Sequence, residues 1–193
     1  MHHMNRRALL ARAGTGAGAL ALAGVAAGPA AAATDVDLSN ARLLCSCKRL
    51  EIYWWTQWLN SATAKLSGDT RDLVLAMRVQ EEGHYKLLAP LLGATAPIDD
   101  DFTFTIPKGA LRSTATATGF ALDLEELMVG IGVGAVSTTK DTGIAASLAA
   151  VLASDAQHAG ALSALNGAAP NPDGFVAAVN AQDAGDQLSQ FLS

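Results

Sequence analysis

The chain has 193 residues, enough for one hydrophobic core and short for two. Half of it is hydrophobic, only 16% is charged and 5% aromatic, which excludes a charged disordered tail and a coiled coil. Two cysteines exclude a disulfide scaffold and a cysteine-based zinc module, and a net charge of -5 argues against general nucleic-acid binding.

Residues 1–33 read as an export signal. Asn5-Arg6-Arg7-Ala8-Leu9-Leu10 has the twin-arginine form, an Ala/Gly run from about Ala17 to Ala27 follows, and Pro29 and Ala30 to Ala33 lead to a cleavage point after Ala33. The run is too short and glycine-rich for a membrane span, which needs ~20 apolar residues. No span is therefore expected in the mature form, and an exported location, periplasmic or extracellular, is. Losing Arg6, Arg7 and Arg12, and no acid, takes the net charge from -5 to -8.

The remainder reads as all-α. Leu43, Leu44, Cys47, Leu50, Trp54, Trp55 and Trp58 give Asp35 to Asn60 a helical period, with Asp37 or Ser39 as its cap. A second helix runs from about Arg71 to Ala89, where Pro90 ends or kinks it. Residues 92–113 form a long connector holding three aspartates at 99–101, read as a solvated loop, and a short extended piece at Phe102-Thr103-Phe104. A third helix spans about Thr116 to Val136, and Asp141-Thr142 caps a fourth that reaches Leu165. Asn171-Pro172-Asp173 then reopens a helical pattern ending near Leu192. Two helical hairpins joined by one long crossover between helices 2 and 3 are the connectivity of a four-helix bundle. The domain reading is a signal at 1–33, the bundle at 34–166 and a C-terminal helical extension at 167–193.

The rarest polar residues are patterned. There are five glutamates, Glu51, Glu81, Glu82, Glu125 and Glu126, and beyond the signal only two histidines, His84 and His158. Glu51 lies 30 residues before Glu81, and Glu125 lies 30 before Asp155. Glu81 and Asp155 each precede a histidine by three, so a carboxylate followed by carboxylate-x-x-His occurs twice, offset by 74 residues. Residues i and i+3 share a helix face, so each such pair can reach one ion. About ten residues on either side of a turn, at 1.5 Å each, places Glu51 and Glu81 level, ~15–18 Å from the hairpin end. Glu125 and Asp155 pass the same test. Four level carboxylates and two histidines inside an apolar bundle point to a dinuclear iron or manganese site. The competing reading is a metal-free polar cluster satisfied by its own members. The neighbours Glu82 and Glu126 are expected to point elsewhere. Gly130, Gly132 and Gly134 read as close helix packing, the three tryptophans as core, and Cys45 and Cys47 as thiols that do not bridge each other.

These residues carry a resemblance. From about Leu38 to Leu165 the chain resembles the ferritin-like superfamily, and within it the exported bacterial ferritin-like domain proteins that include desiccation-related relatives. Leu50-Glu51, Glu81-x-x-His84, the Phe102-Thr-Phe connector, Leu124-Glu125-Glu126 and Asp155-Ala-Gln-His158 carry it. The resemblance implies Glu51, Glu81, His84, Glu125, Asp155 and His158 as ligands to two Fe or Mn ions, with Glu81 and Glu125 as bridges. It also implies metal-ion oxidation or peroxide removal as the activity and leaves room for a homodimer. The chain departs from the family at Asp155, where a glutamate is usual, and at Trp58 and Gly132, where relatives often carry tyrosines. The shorter acid predicts the tighter ion in the half formed by Glu51, Glu81, His84 and Glu125. The alternative function is a metal-free bundle with a structural or stress-related role.

Overall fold

The computed structural model describes residues 33–170 and 176–192. The export-signal segment and the Asn171-Pro172-Asp173 onset fall outside them. Among the described residues the chain is helical: α1 Asp35–Leu59, α2 Gly68–Leu92, α3 Thr114–Thr138, α4 Thr142–Leu165 and a short α5 Ala181–Ser189. The first four form the expected bundle, with α1–α2 and α3–α4 as hairpins and residues 93–113 crossing between them. No described helix is long and apolar enough to cross a membrane.

The helix ends follow local chemistry. Thr34, not Asp37 or Ser39, caps α1, and Asp37 closes the capping box by accepting from the Thr34 N–H. Asp37 also accepts from the backbone N–H of Lys140 at 2.6 Å, which ties the start of α1 to the α3–α4 turn. Asn40 adds to that tie by donating to the Ala135 carbonyl and to the hydroxyls of Thr138 and Thr139. Helix α3 starts at Thr114, two residues before the expected Thr116, under a Ser113 cap, and Asp141 caps α4 by accepting from the Ile144 N–H. Pro90 neither ends α2 nor stands in its centre. The helix runs two residues further, to Leu92, because a proline so near the C-terminus costs only the ladder bond of the last turn.

Large aromatic side chains fill part of the core. Trp54, Trp55 and Trp58 are fully buried on α1, Trp54 meets the Phe120 ring edge-on at 4.4 Å, and Phe120 meets Phe191 at 6.0 Å. Phe191 belongs to the C-terminal extension, which departs from the expected pattern. Residues 176–180 are not helical; they run extended along α3, and only Ala181–Ser189 forms a helix. The Val179 N–H donates to the Gly130 carbonyl at 2.9 Å, and a Cβ on Gly130 would meet Val179 Cγ2 at 2.8 Å. Thus Gly130 and Gly134 make room for this tail, whereas Gly132 packs helix to helix, against Leu152 of α4. Beyond α5 the chain pairs with the crossover: Phe104 bridges to Leu192, and the Thr105 N–H donates to the Phe191 carbonyl. This is the extended piece expected at 102–104, and its partner is the C-terminus. The 99–101 aspartates form an exposed single 3-10 turn, pinned where Asp99 pairs with Arg49.

Candidate metal centre

One stripe of α1 faces the bundle axis: Leu44, Cys47, Lys48, Glu51, Trp54, Trp55 and Trp58, all buried. Glu81 of α2, Glu125 of α3 and Asp155 and His158 of α4 are buried opposite it. His84, one turn past Glu81, keeps 14% of its side chain exposed. The structure thus brings all six sequence-selected residues towards one centre, joined by short contacts. Glu126 is exposed and Glu82 half-buried, paired on the surface with Arg78.

The centre has two unequal halves. On one side the Lys48 Nζ lies 2.6 Å from Glu51 Oε2, 3.0 Å from Glu81 Oε2 and 2.7 Å from Asp155 Oδ2. The His84 Nδ1 is 2.9 Å from the same Glu81 oxygen and 3.6 Å from Asp155 Oδ1. On the other side the His158 Nδ1 lies 2.9 Å from Glu81 Oε1 and 3.3 Å from Glu125 Oε1. Glu81 therefore straddles the halves, one oxygen to each. Asp155 also spreads its two oxygens over two partners, whereas Glu125 meets only His158. Of the two bridges implied by the resemblance, Glu81 has a bridging position; Asp155, not Glu125, is the other carboxylate placed between groups.

Lys48 escaped the sequence reading. A lysine is normally a surface residue, and nothing in a count of acids and histidines draws attention to it. The signal was positional: Lys48 lies three residues before Glu51, on the face that also carries Leu44, Cys47 and Trp55. Gln80 is the second residue missed; its Oε1 lies 2.6 Å from His158 Nε2. An Nε2–H donated to Gln80 turns the Nδ1 towards the carboxylates, where a bound ion would take the place of the Nδ1 proton.

Electrostatics follow from burial and the two cations. Burial works against the Lys48 ammonium, but Asp155, Glu51, Glu81 and Glu125 override it and hold its pKa well above the lysine range. Burial and the Glu81 charge push Glu51 well up, and burial raises Asp155 and takes Glu125 to about 7. Glu81 resists burial: Lys48, His158 and His84 keep it well below the usual carboxylate range. His158 is raised to about 10, because Glu125 and Glu81 outweigh its desolvation. Burial also lifts the Cys45 thiol to about 11 and that of Cys47 further, leaving both free thiols inert.

Six carboxylate oxygens of Glu51, Glu81, Glu125 and Asp155, and the His158 Nδ1, are buried without a hydrogen bond of proper geometry. Several of them face a cation instead, Glu51 Oε2 at 2.6 Å from Lys48 Nζ and Glu81 Oε1 at 2.9 Å from His158 Nδ1. Ligand atoms of Glu81, Glu125, Asp155 and His158 all lie within 4.8 Å of one another and could hold a metal ion. The donor set of three carboxylates and one imidazole suits a divalent transition ion. The four converging atoms come from Glu81, Glu125, Asp155 and His158, while Lys48 faces Glu51, Glu81 and Asp155.

Comparison with known proteins agrees with this architecture. No curated protein matches the chain. Residues 18–168 match the family model described as a ferritin-like domain, a span covering most of the sequence and every residue of the centre. The helical bundle fits that family, and the chain belongs to the ferritin-like domain family.

Proposed function

We propose that this protein is an exported ferritin-like protein that binds iron or manganese in its buried carboxylate–histidine centre and uses it to oxidise metal ions or remove peroxide. The observation that carries the reading is the convergence of Glu81, Glu125, Asp155 and His158, with buried atoms that have no other hydrogen-bond partner. When bound, such an ion supplies one-electron redox chemistry. The chain's own residues would hold it and balance its charge: Glu81, Glu125 and Asp155 supply anionic oxygens, and Gln80 fixes His158 in the ligating tautomer. Glu125, which burial raises to about 7, would give up its proton on taking up the ion, so binding should release a proton near neutrality. His84, the most exposed member of the centre, lies on the side nearest solvent and is placed to pass protons inward. The export reading rests on the Arg6-Arg7 segment, and a mature chain from about residue 34 would comprise the bundle and its C-terminal extension.

The protein, reconstituted without oxygen and desalted, should retain Fe(II) or Mn(II) as measured by elemental analysis. No uptake at micromolar metal would end the metalloprotein reading. The other reading, a metal-free bundle with a structural or stress-related role, is favoured by one observation: Lys48 already neutralises part of the acidic cluster. Full stability with no change on adding metal would select it.

A further inference from the structure

The symmetry of the sequence pattern implies two ions, yet one of the two positions has an occupant. Lys48 Nζ lies within 3.0 Å of one oxygen from each of Glu51, Glu81 and Asp155. Those are the oxygens an ion in that half would need, at the shorter distances of ~2.0–2.2 Å typical of small divalent ions. An ammonium and a metal ion cannot share that space. Nor does Lys48 have an obvious way out: its side chain is 1% exposed, on the axis-facing stripe of α1 between Cys47 and Glu51.

Charge leads to the same place. Two divalent ions would neutralise the four carboxylates and leave the Lys48 ammonium as a buried, unbalanced charge, which is costly. One ion together with Lys48 leaves a single negative charge, which one proton balances.

We infer that Lys48 is a built-in cation filling one of the two metal positions, so that the centre takes one divalent ion, at Glu81, Glu125, Asp155 and His158. Glu51 then serves Lys48 rather than a metal. The inference rests on the metal-binding reading above and fixes its stoichiometry.

The test loads the full folded protein with Mn(II) and reads metal per chain together with the electron paramagnetic resonance signal. The native protein should hold one Mn(II) and give the six-line spectrum of an isolated ion. Lys48→Ala, which removes the charge and empties the space the side chain fills, should hold two and show an exchange-coupled signal. Lys48→Gln provides a second variant should the first fail to fold. Crystals of the native protein soaked in Mn(II) give an independent reading, with one anomalous peak beside His158 and Lys48 Nζ still on Glu51. Two ions in the native protein, or a single ion in both native and folded Lys48 variants, would overturn the inference while leaving the metal-binding reading intact. No ion in any of them would defeat that reading instead.

Discussion

Substituting alanine at Gly134 tests how the C-terminal tail is held. A Cβ there would overlap the Val179 carbonyl oxygen and stand 3.0 Å from its carbonyl carbon. Unstrained carbon contacts are ~3.5–4.0 Å and the overlapping oxygen stands nearer still, so the tail must retreat by at least ~1 Å. The Val179 N–H to Gly130 bond, now 2.9 Å, then stretches beyond useful length. That forfeits about 1 kcal/mol, and freeing half-buried Val179 costs about 1 kcal/mol more. Alanine regains about 1 kcal/mol in helix propensity, leaving a net loss of about 1 kcal/mol. Gly119, on the same helix, has nothing within 4 Å of its Cβ position. Gly119→Ala should therefore be stabilising by about 1 kcal/mol. At ~2–4 °C per kcal/mol for a chain of this size, the two melting temperatures should move in opposite directions by that amount. Hydrogen exchange should also show lost protection across residues 176–192 in Gly134→Ala alone. Equal rises in melting temperature for both, with tail protection unchanged, would refute the docking of the tail on the glycine stripe.

Other outcomes can be stated briefly. The Asp37 carboxyl is held at about 2, below its ordinary 3.8, chiefly by the Lys140 N–H and also by Thr34. Its contribution to stability is present above pH ~4 and is lost as pH falls towards 2. Asp37→Asn should thus lower the melting temperature at neutral pH and flatten its decline between pH 4 and 2, followed by circular dichroism. His158→Ala should weaken Mn(II) binding more than His84→Ala, and Gln80→Leu should weaken it by ~10–100-fold through loss of the tautomer-fixing contact, all measured by calorimetric titration. Changing Arg6 and Arg7 to lysine should leave the precursor inside the cell; processing of that variant to a form starting near Thr34, seen by mass spectrometry, would remove the twin-arginine reading.

Much of the bundle was legible because its signals are local. Apolar period, the Asp141 cap and the loop-forming runs fixed four helices to within about three residues at each end. The 74-residue repeat brought Glu51, Glu81, His84, Glu125, Asp155 and His158 to one level before any coordinates. What stayed hidden depends on tertiary context. Lys48 reads as a surface residue unless the carboxylates that compensate it are known to surround it. Residues 176–180 lie extended because a groove of glycines on α3 receives them, and no local propensity encodes a groove 45 residues upstream. Val79, two residues before Glu81, is 52% exposed, because the stripe of α2 that faces inward is narrow.

The arrangement of the two hairpins bears on how the molecule assembles. Each closes through a short link, residues 60–67 in one and 139–141 in the other, so each can form early from contacts near in sequence. Joining them is the slow, long-range step, and it must bring carboxylates from all four helices out of water at once. The Lys48–Asp155 contact spans 107 residues and links the first hairpin to the second. Because the counter-charge travels on α1 itself, docking need not wait for an ion from solution. A slip of one helix turn between the hairpins would instead set Lys48 and Glu51 against apolar residues one turn from Glu125 and Asp155, such as Ala121, Met128 and Val151, so the charged layer also fixes the height at which the halves meet.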